Sequence, residues 1–103
     1  MTNSENQITQ EICDYINTEG GPKKGWYVGI AENPKDRLAN GHGVGVQKET
    51  SDWWIYRDAG SATAARRIEA YFIDVVGTAG GSSGGSSASR YVYAYKMTLQ
   101  TTQ

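Results

Sequence analysis

The sequence predicts an α+β domain, a small three-stranded sheet packed with about three helices, in the chain order α-β-α-β-α-β. Segments rich in aromatic and β-branched residues alternate along the chain with segments in which apolar residues recur every three or four positions. The first pattern is typical of strands and the second of helices. A chain of 103 residues forms one domain with one core. The connections are long enough for parallel or antiparallel pairing of the strands.

The first helix is predicted at about residues 4–18. Ser4 followed by Gln7 is a capping-box pattern, and three isoleucines spaced four residues apart follow it. A Gly-Gly-Pro sequence at residues 20–22 ends the helix, because glycine adopts the left-handed conformation that closes a helix and proline cannot continue it.

The first strand is predicted at residues 25–30, with successive side chains on opposite faces of the sheet. Trp26 and Val28 face one way. Tyr27 and Gly29 share the other face, where the missing side chain of the glycine leaves room for a water molecule or a phosphate.

A helix of about two turns is predicted after this strand. Asn33 is a good N-cap, and Pro34 stands at the first helical position, where its missing N–H costs nothing. The helix runs to Ala39, and an irregular glycine-rich loop at residues 41–45 carries His42.

The second half of the chain predicts a strand, a helix, a loop and a final strand. The strand at residues 52–57 is rich in aromatic residues, and the helix at 62–76 has a clear apolar face. Residues 77–89 are mainly Gly and Ser. This segment is interpreted as a plain linker, as a cradle of backbone N–H groups for an anion, or as a flexible loop that binds a partner.

Strict alternation makes the last strand, at residues 90–97, the clearest one. One face carries Tyr91, Tyr93, Tyr95 and Met97, and the other carries Val92 and Ala94. The tyrosine face has two interpretations. It is core beneath a helix, or it is a platform on which nucleic-acid bases stack.

The composition predicts a single soluble domain over residues 1–103, located in the cytoplasm. Its parts are an N-terminal helix and turn (1–24), a core (25–76), the Gly/Ser loop and the final strand. Cys13 is the one cysteine and is predicted to be a semi-buried, inert thiol, so no internal disulfide forms. No apolar run approaches the length of a membrane span, and the N-terminus lacks the pattern of a signal peptide.

The net charge of −1 and the pI of about 5.7 do not suggest a nucleic-acid binder, which usually has a basic face. A local basic patch would form if separate basic residues converged. The candidates for nucleic-acid contacts are Lys23, Lys24, Lys35, Arg66 and Arg67. The alternative interpretation is scattered, solvated charge.

A single glutamate, Glu69, interrupts the apolar face of the helix at 62–76. A carboxylate at the edge of a buried face needs a partner, because removing a charge from water is costly. A divalent cation such as Mg²⁺ prefers this kind of oxygen ligand and keeps waters for a substrate. The simpler interpretation is an ion pair with Arg66, three residues earlier.

Three more residues would complete a site that cuts phosphodiesters. Arg37 would hold a phosphate and stabilise its developing charge. Tyr27 would orient or deprotonate a water, and His42 would act as an acid or base near neutral pH. Each also has a simpler interpretation: a solvated arginine, a packed tyrosine and an exposed histidine.

Residues 25–76 resemble the GIY-YIG nucleases. Tyr27-Val28-Gly29, followed by a helix that carries Arg37-Leu38, is similar to the second half of the family signature. The segment 54–57 and the helix that carries Glu69 resemble the third strand and the glutamate helix of the family. The resemblance implies Tyr27, Arg37, His42 and Glu69 as catalytic residues, with Glu69 the ligand of Mg²⁺ or Mn²⁺. It implies DNA or RNA as the substrate.

Two parts of the family pattern are not evident in this chain. The first strand, with its Gly-Ile/Val-Tyr sequence, would fall near Tyr15, where the pattern predicts a helix. No asparagine follows the glutamate helix. The alternative function is therefore a catalytically inactive binder on the same scaffold, directed at a nucleic-acid-processing protein, such as a phage-type inhibitor of a defence nuclease (anti-CRISPR-like). A structural role that uses an exposed aromatic strand is a third option.

Overall fold

A mixed four-stranded sheet organises the chain. The computed structural model describes residues 3–33, 54–80 and 89–96. Its strands are β1 (Trp26–Ala31), β2 (Trp54–Asp58), β3 (Ala79–Gly80) and β4 (Tyr91–Lys96). Their order across the sheet is β2-β4-β1-β3. β4 pairs antiparallel with β2 and β1, and β3 runs parallel to β1.

Two α-helices lie within the described residues, α1 (Asn3–Glu19) and α2 (Ala62–Tyr71). Both begin and end close to their predicted positions, except that α2 continues as a π-helical turn over Phe72–Val76. The N–H of Gly77 donates to the carbonyl of Phe72, five residues earlier, at 2.8 Å. Gly77 has a φ of +96°, a conformation that glycine adopts easily, and it ends the helical segment there.

The prediction of three strands is wrong, because β3 lies inside the segment 77–89, which the sequence predicts as a Gly/Ser loop. A strand of two residues is too short to show an alternation pattern, so only its position beside β1 reveals it. Gly80 makes the close approach possible. A Cβ at this position would lie 2.5 Å from Cδ1 of Ile73 and 2.7 Å from the carbonyl oxygen of Val28. The predicted helix at 33–39 and the loop at 41–45 fall almost entirely outside the described residues.

The predicted alternation in β1 and β4 is confirmed. The core on the helix-bearing face of the sheet comprises Ile12, Ile16, Trp26, Val28, Ile30, Ile55, Ala65, Ile68, Phe72, Val92 and Ala94. The opposite face carries a second cluster, formed by Tyr27, Ala31, Tyr93 and Tyr95, with Trp54, Tyr56 and Ala79 packed against it. Tyr93 and Tyr95 of β4 are therefore core, but they lie on the face opposite to the one that α1 and α2 cover.

None of the helices in the described part of the chain is both long enough and apolar enough to cross a membrane.

Candidate functional site

Two of the four predicted catalytic residues lie in the described part of the chain. Tyr27 is the second residue of β1, and Glu69 lies in the last two turns of α2. Arg37 and His42, together with the predicted phosphate contact Lys35, fall in residues 34–53, outside the described residues.

Helix α2 places Glu69 against the core. The helix is capped by Ser61, whose side-chain oxygen accepts a hydrogen bond from the backbone N–H of Ala64 at 3.1 Å. Ala65, Ile68 and Phe72 then face the sheet. Glu69 lies beside this apolar face, and only 6% of its surface is exposed.

The buried position of Glu69 changes its protonation chemistry. Desolvation raises the pKa of its carboxyl from 4.5 to about 7, and the positive charge of Arg66 lowers it by a smaller amount. Among the described residues, Oε2 of Glu69 has no hydrogen-bond partner. An unsatisfied buried oxygen is costly, so the site is suited to a positively charged or proton-donating ligand that supplies the missing contact.

Glu69 belongs to no cluster of metal-ligating side chains in the described part of the chain, which contains no group of three or more His, Cys, Asp or Glu residues that could hold a metal ion together. Mg²⁺ commonly binds through one or two carboxylates and keeps several waters, which the oxygens of a phosphate then replace. A single buried carboxylate oxygen is consistent with that mode of binding.

Tyr27 lies in a tight group of phenols, here called the tyrosine cluster (Tyr27, Tyr93 and Tyr95). The Tyr27 ring stacks on Tyr95 at a centroid distance of 5.3 Å and on Tyr93 at 6.4 Å. Tyr27 is 8% exposed, and Tyr93 and Tyr95 are 1% and 0% exposed. Burial raises the pKa of Tyr95 above its ordinary range, and the neighbouring Tyr27 and Tyr93 add to the effect.

The burial of this cluster decides how Tyr93 and Tyr95 are interpreted. Their rings are covered, so these two tyrosines are core and offer no platform on which bases stack.

The expected space over Gly29 is filled. Gly29 pairs with Tyr93 across the antiparallel ladder, and a Cβ at Gly29 would lie 2.5 Å from the hydroxyl oxygen of Tyr93. The prediction that a water or phosphate would find room here is therefore corrected, because an aromatic ring from the neighbouring strand takes the space. A glycine in β1 and alternating tyrosines in β4 are the sequence signal for this contact. The signal cannot be used without the register of β1 against β4, which the sequence does not give.

The structure thus places the two described catalytic candidates, Tyr27 and Glu69, in separate groups of residues. Tyr27 lies with Tyr93 and Tyr95 on one face of the sheet. Glu69 belongs to α2, which packs on the other face. A single reaction centre that uses both residues would have to be completed at an edge or an end of the sheet.

The basic residues have different environments. Nζ of Lys23 donates a hydrogen bond to the side-chain oxygen of Asn17 at 2.6 Å, and Lys24 and Arg66 are exposed. Arg67 donates two hydrogen bonds to the carboxylate of Glu5 on α1, at 2.8 and 3.1 Å. The charge of Arg67 is therefore already engaged by Glu5, a contact that sequence spacing gave no means to predict.

No model of a known protein family, no curated protein and no solved structure matches this chain.

Proposed function

We propose that this protein is a divalent-metal phosphodiesterase with a GIY-YIG-like arrangement that acts on DNA or RNA. The observation that carries the proposal is Glu69. It is a carboxylate buried against the core, it has an elevated pKa, and Oε2 has no hydrogen-bond partner among the described residues. A side chain in this state is destabilising unless a ligand compensates it.

Glu69 would hold Mg²⁺ or Mn²⁺ through Oε2. When bound, such an ion polarises a phosphoryl oxygen and lowers the pKa of a coordinated water. Arg37 would hold the phosphate and stabilise its developing charge. His42 would give or take a proton near neutral pH. Tyr27 lies on the face of the sheet opposite to α2, so it would orient the attacking water only if the site is completed at an edge or an end of the sheet. The exposed cation Lys24 would contact the nucleic-acid backbone more readily than Arg67, which binds Glu5.

A cleavage assay with two matched variants tests the proposal. Purified protein is incubated with plasmid and with single strands in Mg²⁺ or Mn²⁺. We expect Glu69→Gln to lose at least about 100-fold in rate, the scale on which removal of a stabilising group slows a reaction. Asp74→Asn is the control, because Asp74 is an exposed carboxylate in the π-helical turn that continues α2. It should retain the wild-type rate.

A binding measurement makes the test independent of turnover. Titration calorimetry with Mn²⁺ should show binding by the wild type and by Asp74→Asn, and binding at least tenfold weaker by Glu69→Gln, as expected when a ligand-holding contact is lost. Cleavage that survives in Glu69→Gln would belong to a contaminant and would overturn the assignment.

A second function is favoured by a different observation. Tyr27 is buried and the space over Gly29 is filled by Tyr93, which are features of a packed scaffold more than of an open cleft. Together with the net charge of −1, they support a catalytically inactive binder such as an inhibitor of a defence nuclease. In that case, equimolar protein would slow cleavage by one member of a panel of purified CRISPR nucleases. Metal-dependent cleavage by the protein alone, with no effect on any member of the panel, would contradict it.

A further inference from the structure

Strand β2 lies at one edge of the sheet. Among the described strands it pairs with β4 alone, so one row of its backbone N–H and C=O groups points away from the sheet. Such a row is a template on which a strand of another chain can pair, and proteins commonly cover or charge their sheet edges to prevent this. The side chains that cover the outer edge of β2 therefore determine whether another chain can pair there.

The hydrogen bonds of the ladder identify the backbone groups that point outward. The N–H of Ala59 donates to the carbonyl of Arg90 at 2.8 Å, so the backbone groups of Ala59 point towards β4. Successive residues of an antiparallel strand direct these groups to opposite sides. Two residues before Ala59, Arg57 therefore also directs its backbone groups towards β4, where it lies opposite Val92. The N–H and C=O of Tyr56 both point outward.

The side chain of Arg57 covers the outward carbonyl of Tyr56. Nη1 of Arg57 donates a hydrogen bond to this carbonyl oxygen at 2.8 Å, and Nε donates to Oε1 of Glu11 on α1, also at 2.8 Å. The hydrogen bond from Arg57 lowers the pKa of the Glu11 carboxyl, so the pair keeps both charges at neutral pH. One guanidinium thus connects the edge of the sheet with the first helix.

The outer edge of β2 is complementary to itself. When two identical strands pair antiparallel about a two-fold axis at Tyr56, the N–H of each Tyr56 donates to the carbonyl of the other. This carbonyl is the one that Arg57 covers. Trp54, Ile55 and Tyr56 are residues that favour strand pairing. A second copy of the chain is therefore the partner that fits this edge, and Arg57 occupies the acceptor that the partner needs.

We infer that Arg57, held by Glu11, blocks the pairing of β2 with β2 of a second copy of the chain. The side chains of Arg57 and Glu11 are 43% and 40% exposed, so they lie on the surface that the second copy would approach. With Arg57 in place the chain stays monomeric, and without it two copies join their sheets through Tyr56. This role of Arg57 is independent of the proposed phosphodiesterase activity.

Sedimentation velocity over a series of protein concentrations tests the inference. Arg57→Ser removes the guanidinium. Arg90→Ser is the matched control, because it removes an equal charge and an exposed ion pair with Asp58, and it leaves the carbonyl of Tyr56 covered. We expect Arg57→Ser to dimerise at least about tenfold more tightly than the wild type, the factor that one hydrogen bond to a charged group represents. Arg90→Ser should sediment as the wild type.

A proline locates the contact on β2. The outward N–H of Tyr56 takes no part in the ladder with β4, so a proline at this position removes only the donor that a second copy would use. In the Arg57→Ser background, Tyr56→Pro should restore the sedimentation of the wild type. Tyr56→Ala, which removes the same ring and keeps the N–H, should still dimerise.

Three results would overturn the inference. The first is an Arg57→Ser variant that associates no more tightly than the wild type. The second is equal dimerisation of Arg57→Ser and Arg90→Ser, since the loss of positive charge would then explain the association. The third is a dimer of Arg57→Ser that persists with Tyr56→Pro, because the two copies would then be joined at another surface.

Discussion

Arg67 on α2 holds the carboxylate of Glu5 on α1 through two hydrogen bonds, Nε to Oε1 at 2.8 Å and Nη2 to Oε2 at 3.1 Å. Glu5 is 2% exposed, whereas the side chain of Arg67 is half exposed. The pair joins the two described helices across 62 residues of sequence. It also satisfies both carboxylate oxygens of Glu5, a buried residue.

Removal of the arginine should therefore destabilise the fold. We expect Arg67→Ala to lower the free energy of unfolding by about 1.5–3 kcal/mol, the range for hydrogen bonds to charged groups. Urea unfolding measures it. Lys24→Ala, at an exposed position, is the control and should stay within about 0.5 kcal/mol of the wild type. The double variant Glu5→Gln/Arg67→Ala should recover part of the loss, and failure to do so would show that the pair is not the cause.

The contact between Gly29 and Tyr93 predicts a steric effect. Gly29→Ala should lower the free energy of unfolding by about 1–3 kcal/mol, because the new methyl group has no space beneath the Tyr93 ring. Gly25→Ala is the matched control, since a Cβ there would meet Cγ of Pro22 at an ordinary 3.6 Å. That variant should change the stability by less than about 1 kcal/mol.

A double-mutant cycle makes this prediction specific. Tyr93→Ala should cost less in the Gly29→Ala background than in the wild type, because truncation of the ring relieves the clash. Additive effects would mean that Gly29 is required for another reason.

Glu69 should make the stability depend on pH in metal-free buffer. The folded-state pKa of about 7 lies above the ordinary 4.5, so the folded state binds the proton more tightly than the unfolded chain. The contribution of Glu69 to stability is therefore greatest below pH 4.5 and falls as the pH rises to 7. The loss is roughly 3 kcal/mol, which corresponds to the difference between these pKa values. Arg66 is the charged group that acts on Glu69, and it moderates the loss.

Denaturant unfolding between pH 4 and pH 8, with Glu69→Gln measured in parallel, checks the prediction. The difference in stability between the two proteins should change with pH in this window, because the other titrating groups are common to both. A difference that is constant from pH 4 to pH 8 would contradict a buried, desolvated carboxylate.

Tyr95 should resist ionisation. Its pKa lies above the ordinary tyrosine value because of burial first and its neighbours Tyr27 and Tyr93 second. In an ultraviolet titration of the native protein up to about pH 11, one unit above the ordinary value, Tyr95→Phe should follow the wild-type curve. In denaturant the variant should show one tyrosinate fewer out of seven. A smaller increase in tyrosinate absorbance for the native variant than for the native wild type would show that Tyr95 ionises in the folded protein.

The sequence predicts most of the regular structure because the signals are local. The capping box and isoleucine spacing of α1, the alternation of β4 and the apolar face of α2 each depend on residues close in the chain. The strand β3 and the π-helical turn escaped prediction for the opposite reason. Ala79 and Gly80 form a strand only because β1 lies beside them. Position 80 requires a glycine because Ile73 and Val28 leave no room for a side chain there.

The sequence by itself determined the α+β class, the position of Glu69 in an apolar helix, and the division of Tyr27 and Val28 between two faces of a strand. These properties follow from the periods of helices and strands. Only the tertiary structure decided that Tyr93 fills the space over Gly29 and that Arg67 belongs to Glu5. It alone also showed that Tyr27 and the glutamate helix lie on opposite faces of the sheet. The physical reason is that register and strand order are set by contacts between residues far apart in the chain. Local periodicity does not identify those contacts.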